Sequence, residues 1–190
     1  MNLSLPVGAL ADAALTLLRT LENRPIEDHS LRSFHFARLI AAHEGCLTDA
    51  AYDEDLLFAA TLLHDLGLGS LAPGKTRFEI EGADLAAALL SDHGVAEADI
   101  ARVWEAIALH TSMGLAERMG LLTYLTHKAV FTDAGRATGL PPELLAPVRA
   151  AYPKPPDDTS IPDAIVTHAR RSPSAAPPYS IAAELLRQRL

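Results

Sequence analysis

Four residues of this 190-residue chain have the chemistry of metal ligands: His29, the adjacent pair His64 and Asp65, and Asp133. Imidazole and carboxylate together suit a hard or borderline divalent cation. The adjacent pair is the most informative. It closes the segment Leu56-Leu57-Phe58-Ala59-Ala60-Thr61-Leu62-Leu63, which is apolar apart from one threonine. An ionised carboxylate in such surroundings loses its hydration at a cost of several kcal/mol unless a cation compensates it. Taken alone, the pair fits two arrangements equally. One is a metal-binding couple; the other is an aspartate capping a neighbouring helix beside a satisfied core histidine.

Further residues offer supporting chemistry. Arg32 lies three positions after His29, on the same helix face, where its guanidinium reaches whatever His29 faces. Thr111 and Ser112 follow His110 and present hydroxyls suited to a small neutral substrate. Glu81, at the start of an expected helix, is a candidate acid–base group or hydrogen-bonding support. Lys75 and Arg77 belong to a loop that leaves the His64–Asp65 pair directly, and solvated surface charge explains them as well as anion contacts do. His93 precedes Gly94 at an expected helix C-terminus, where a cationic imidazole is favoured by the dipole. His35, His43, His127 and His168 read as structural or surface residues. Cys46 reads as a small buried residue.

These side chains need helices to position them. A first amphipathic helix is expected over residues 7–21, with Leu10, Ala14, Leu17, Leu18 and Leu21 on one face. Asn23-Arg24-Pro25 breaks it, and Asp28 is the expected N-cap of a second helix ending at Gly45, which puts His29 in the first turn. Asp53-Glu54-Asp55 supplies an acidic start for a third helix that ends at Leu66-Gly67. Adjacent helical residues point ~100° apart. His64 and Asp65 therefore converge only where the chain leaves the helix, an exit that Gly67 and Gly69 permit. Helices follow over residues 79–93, 97–110 and 119–133, the last delivering Asp133 before Gly135. Beyond Pro141-Pro142, prolines punctuate two short helical stretches, the last over residues 179–190 with Ile181, Leu185 and Leu186 forming a narrow apolar face. The expected organisation is a helical domain over residues 1–152 and a Pro-rich C-terminal extension over 153–190.

Composition agrees with this. Apolar residues make up 49% of the chain but aromatics only 5%, alanine and leucine are frequent, and strand-like runs are nearly absent, so the expected class is all-α. The formal net charge is −8 with scattered cations, which argues against nucleic-acid and anionic-membrane partners. No run of ~18 apolar residues suggests a membrane span, and the N-terminus lacks the basic region of a signal peptide. A single cysteine excludes an intrachain disulfide and suits a reducing compartment, so a cytoplasmic location is expected.

The segments Asp28-His29-Ser30-Leu31-Arg32, Leu62-Leu63-His64-Asp65-Leu66-Gly67, Ala108-Leu109-His110-Thr111-Ser112 and Thr132-Asp133-Ala134 occur in that order. In this the chain resembles the HD-domain superfamily of metal-dependent hydrolases, over residues 24–135. Arg77-Phe78-Glu79-Ile80-Glu81-Gly82-Ala83-Asp84 and Trp104-Glu105-Ala106-Ile107-Ala108-Leu109-His110-Thr111-Ser112 look like its cyanamide-hydratase-like branch. The resemblance implies an HD-domain helical bundle with one divalent ion between its helices, held by His29, His64, Asp65 and Asp133. Zn2+ is the first expectation, and Fe, Mn, Co or Ni would also suit the donors. Binuclear members of the superfamily carry two further histidines. Phe78 stands at one of those positions and His110 at the other, so the resemblance implies a mononuclear site with His110 free for proton transfer or substrate contact. Nucleotidase-like relatives carry a glutamate where this chain has Leu68. The implied function is addition of water to a small molecule, most like cyanamide hydration. A phosphohydrolase acting on a nucleotide or other phosphoester, and a regulatory module without catalysis, are the alternatives. The implied partner is a small-molecule substrate, and a homodimer is compatible with this reading.

Overall fold

The computed structural model describes residues 3–21, 23–136 and 139–189. Among these residues nine α-helices follow one another: α1 (Ala9–Leu21), α2 (Arg24–His43), α3 (Glu54–Leu63), α4 (Phe78–Asp92), α5 (Glu97–Leu109), α6 (Leu121–Asp133), α7 (Pro142–Ala151), α8 (Ser160–Ala169) and α9 (Ile181–Arg187). No strand occurs among the described residues, and no helix there is long and apolar enough to cross a membrane. The all-α expectation holds.

The central helices are α2 and α3. α2 packs chiefly on α6 and α3, while α4 packs on α5, so that α3 is covered by α1, α5 and α6. Eight consecutive residues of α3, Leu56 to Leu63, are buried. This explains why that segment is apolar all round rather than amphipathic. Ala14 and Leu18 of α1 are fully buried, as its apolar face requires. The side chain of Leu21 lies outside the described residues, as does Leu190, where the expected last helix ends.

Two local expectations are corrected. The N-cap of α2 is Asn23, whose side chain accepts from Ile26 N–H at 3.2 Å, and not Asp28. α1 does end before Asn23, but α2 begins already at Arg24 with Pro25 in its first turn, where a proline's missing N–H costs nothing. His29 and Asp28 therefore lie in the second turn, where Asp28 pairs with Arg24 at 2.9 Å. At the other end of the site, the need for Gly67 is steric. Its φ is not in the left-handed region. A Cβ at residue 67 would sit 1.8 Å from the Phe78 carbonyl oxygen, and one at Gly82 would sit 3.0 Å from the Gly67 nitrogen. The two glycines let the first turns of α4 lie directly on the turn that carries His64 and Asp65. Cys46, expected to be buried, is half-buried.

The C-terminal helices pack back on this body. Ile165, Ala169 and Ala182 of α8 and α9 form a second apolar cluster with Phe78 and Leu68. His168 is buried, its Nε2 within 2.9 Å of the Thr76 carbonyl oxygen, and Arg171 donates to the Ala72 carbonyl at 2.9 Å. These bonds tie α8 to the loop that follows the His64–Asp65 turn.

Candidate metal centre

α3 is capped at its start by Asp53, whose carboxylate accepts from Asp55 and Leu56 N–H, both at 3.0 Å. At its end the backbone is still helical at His64 (φ −61°, ψ −30°) and departs at Asp65 (φ −100°, ψ 6°). The departure brings the neighbouring side chains into one space, with His64 Nε2 3.3 Å from Asp65 Oδ2. α2 brings His29 to the same place. Its Nε2 lies 3.0 Å from His64 Nε2 and 3.6 Å from Asp65 Oδ2. His29, His64 and Asp65 are all buried, and one ligand atom of each lies within 4.8 Å of the others.

The hydrogen bonds of the rings decide what those atoms offer. His64 Nδ1 is 2.8 Å from the Thr61 carbonyl oxygen, so it carries a proton and donates. His29 Nδ1 is 2.6 Å from Asp133 Oδ2 and donates likewise. In the neutral rings, both Nε2 atoms then point lone pairs at each other and at Asp65 Oδ2. That oxygen is buried without a hydrogen-bond partner. Two lone pairs and an orphaned carboxylate oxygen repel one another unless something positive sits among them. A proton on His64 is one answer: burial pushes this imidazole down, but Asp65 outweighs burial and raises it. Burial likewise pushes Asp65 up, yet His64, His29 and His110 hold it well below the usual carboxylate range. A divalent cation is the better answer, because it satisfies all three donors at once. The donor set therefore fits a transition metal, whose binding would displace the His64 proton.

Asp133, the expected fourth ligand, is not among the converging atoms. It stands behind His29, accepting from His29 Nδ1 and from Arg32, with Arg32 Nε at 2.5 Å from Oδ1 and an Nη at 3.0 Å from Oδ2. Burial would raise its pKa, but these donors hold it well below the usual carboxylate range. Arg32 itself is buried and donates its other Nη to the Tyr152 carbonyl oxygen at 3.1 Å. It orients Asp133 and has no atom lining the cavity beside the cluster.

His110, at the end of α5, completes a row of three imidazoles. Its ring centroid lies 4.8 Å from that of His64, and its Nε2 lies 3.8 Å from Asp65 Oδ1. Nδ1 is 2.6 Å from the Ile107 carbonyl oxygen, which leaves the Nε2 lone pair facing the centre. Burial and the neighbouring His64 push His110 down to about 4. His127 supports it by donating from Nδ1 to the His110 carbonyl at 2.8 Å. Phe78 is fully buried with its ring 5.6 Å from that of His110, a hydrocarbon wall beside the imidazoles.

The acid–base expectation for Glu81 meets a different arrangement. Its carboxylate accepts from the backbone N–H groups of Gly74, Lys75 and Thr76 at 2.8, 2.6 and 2.9 Å, and it does not line the cavity beside the cluster. It anchors the loop. A second carboxylate on this side of the site, besides Asp65, is Glu79, which sequence reasoning overlooked. Fully buried, it accepts from Thr111 Oγ1 at 2.5 Å and from Arg77 at 2.7 Å. Burial opposes its ionisation, but Arg77, His110 and Thr111 lower its pKa. The only signal available was its two-residue offset from Arg77 in an otherwise apolar helix start, which by itself means little.

A cavity of about 90 Å³ adjoins the cluster, touching His29, Asp65, His110 and Thr111. Its remaining walls are apolar, with Phe131 from α6 and Ile161, Ile165 and Ile181 from α8 and α9 among them, and no Lys or Arg lines it. Cations gather elsewhere: Arg32, Arg149 and Lys154 line a separate pocket of about 420 Å³ around Asp133, Ala134 and Gly135. Compared with known families, residues 26–169 match the model described as HD domain. No curated protein matches the chain.

Proposed function

This chain belongs to the HD-domain family, typically metal-dependent hydrolases, and on that premise we propose that it adds water to a small uncharged molecule, most like cyanamide hydration. His29, His64 and Asp65 would hold one divalent ion, Zn2+ being the first candidate, with Asp133 and Arg32 fixing the ring of His29 from behind. When bound, such an ion supplies a Lewis acid and lowers the pKa of water. His110 offers the Nε2 lone pair that accepts the water proton, since its Nδ1–H is committed to the Ile107 carbonyl. Thr111, held by Glu79, offers its hydroxyl oxygen to an N–H of the substrate.

The observation that carries the choice of substrate is the cavity beside the cluster: about 90 Å³, with no Lys or Arg in its lining. A phosphoester would find the metal ion but no Lys or Arg side chain to share its charge there. Arg77, the nearest cation by sequence, is already paired with Glu79. The test is to assay one metal-loaded preparation on cyanamide and on a panel of phosphomonoesters and nucleotides. Urea formation that disappears on chelation is the expected outcome. Phosphate release without urea would overturn it in favour of the second reading, a phosphohydrolase. That reading has one observation behind it, the pocket of Arg32, Arg149 and Lys154 on the far side of Asp133.

A further inference from the structure

Next to the cavity at the cluster lies a groove of about 730 Å³, a volume in the range of ordinary small-molecule sites. Three residues line both spaces: Thr111, Phe131 and Ile181. All three are half-buried, as a partition between a cavity and an open groove must be. The small space therefore meets the large one at their side chains.

Ile181 differs from the other two in what holds it. Thr111 is tied to Glu79 by a 2.5 Å hydrogen bond, and Phe131 stands on α6 next to Asp133 under the Arg136 guanidinium. Ile181 opens α9, where Ser180 Oγ caps the helix by accepting from Ala183 N–H at 3.1 Å. The residue before that cap, Tyr179, has φ 67°, the only non-glycine residue with positive φ among those described. A bulky residue in that region is strained by about 1 kcal/mol or more. α9 is nonetheless kept in place by Ala182, fully buried in the cluster with Ile165 and Phe78. The chain thus holds a strained turn in place, and Ile181 stands at the cavity wall two residues after it.

We propose that Ile181 is the residue that sets substrate size, restricting the cluster to uncharged molecules whose apolar substituent is no longer than about three carbons. The proposal rests on the metal-centre reading above. An apolar cavity of roughly 150 Å³ accommodates benzene, so one of about 90 Å³ takes a shorter group. Ile181→Ala removes most of the partition on the α9 side and joins the cavity to the groove.

The test uses the full-length, metal-loaded protein and a series of 1-alkylureas (methyl, propyl, hexyl) as non-reacting ligands, titrated by ligand-observed NMR. In the wild type, affinity rises roughly fourfold per buried methylene up to the propyl group and collapses at hexyl. Ile181→Ala tightens hexylurea at least about tenfold, as burial of two or more further methylenes requires. Leu185→Ala, whose side chain lines the groove alone, leaves the cut-off where it was. If Ile181→Ala does not unfold cooperatively, Phe131→Ala opens the same partition from α6 and is held to the same result. Wild-type binding of hexylurea more tightly than propylurea overturns the proposal. So does an unchanged cut-off in the opened variant, or no binding of any homologue. A wrong reaction assignment shows instead as absence of urea from cyanamide with the length profile intact.

Discussion

The two carboxylates of the centre, Asp65 and Asp133, are both buried, yet they are satisfied in opposite ways. Asp133 receives His29 Nδ1–H and two donors from Arg32. Asp65 keeps one oxygen with no hydrogen-bond partner, facing two imidazole nitrogens. One group has its charge met by protein donors. The other keeps an oxygen open to a cation. Spacing along the chain makes the two aspartates look alike, and the difference lies in what their neighbours have already committed.

The largest expected effect falls on metal content. Asp65→Asn should lower metal affinity by more than about a hundredfold, beyond the ten- to hundredfold that loss of an orienting carboxylate costs. Asp133→Ala should stay within that ten- to hundredfold range. Equilibrium dialysis with elemental analysis measures both, starting from near one equivalent in the wild type. Equal and complete loss in both variants would make Asp133 a direct ligand, and two equivalents in the wild type would contradict the single site.

Stability of the metal-free protein should rank the pair the other way. Asp133→Ala strands Arg32, a guanidinium only 2% exposed, and breaking one side of a buried ion pair costs about 3–5 kcal/mol. Asp65→Asn removes the charge that raises the His64 pKa, but unlike Arg32 this imidazole can shed its proton and stay buried neutral, so the expected cost is the smaller, about 1–3 kcal/mol. Urea denaturation of chelator-treated samples decides the order. Reversal would mean that Asp65 is the structural member.

A third buried group sharpens the contrast. His35 is fully buried, and neither of its ring nitrogens has a hydrogen-bond partner. It stacks on Tyr152 at 5.6 Å, with no ligand partners around it. Burial, aided by Arg38, pushes its pKa from 6.5 to about 4. The folded chain thus keeps this imidazole neutral while the unfolded chain protonates it, so unfolding takes up a proton between those two values. Stability is full above about pH 6.5 and falls as the pH drops toward 4, by up to about 3 kcal/mol. His35→Phe should make that part of the profile shallower, with His110 supplying the remainder, measured as the urea midpoint at pH 7 and pH 5. An unchanged slope would show that another group titrates there.

The smallest effect on metal is expected at His110. His110→Ala should retain the ion with less than about a tenfold change in affinity while losing most turnover, because general acid–base groups contribute about a hundredfold or more to rate. Loss of the ion would make His110 a ligand.

Much of the fold was legible beforehand, for identifiable reasons. The apolar run from Leu56 to Leu63 and the acidic cap at Asp53 define α3 without outside help, because local capping and burial agree there. At α2 they disagreed: Asp28 has an N-cap's chemistry, but Pro25 is preorganised for a first turn, and Asn23 already satisfies the orphan N–H. The site divided in the same way. His29, His64 and Asp65 were recognisable because ligand type and order along the chain are sequence properties. The partners of Glu79 and Glu81 were not, since the two lie two residues apart on one helix and differ only in which loop or side chain folds against them.

Residue types and their order determined by themselves that this chain is all-α and that an imidazole and a carboxylate stand together where the apolar α3 ends; that His29 joins them was implied by the resemblance to the HD-domain superfamily. Only the tertiary structure decided that Asp133 faces Arg32 and the back of His29, that Glu79 supports the site while Glu81 anchors a loop, and that isoleucines from α8 and α9 line the cavity. Those roles depend on which donors arrive from segments tens of residues away. A side chain's hydrogen-bond partner is a property of packing, and packing is not written in local spacing.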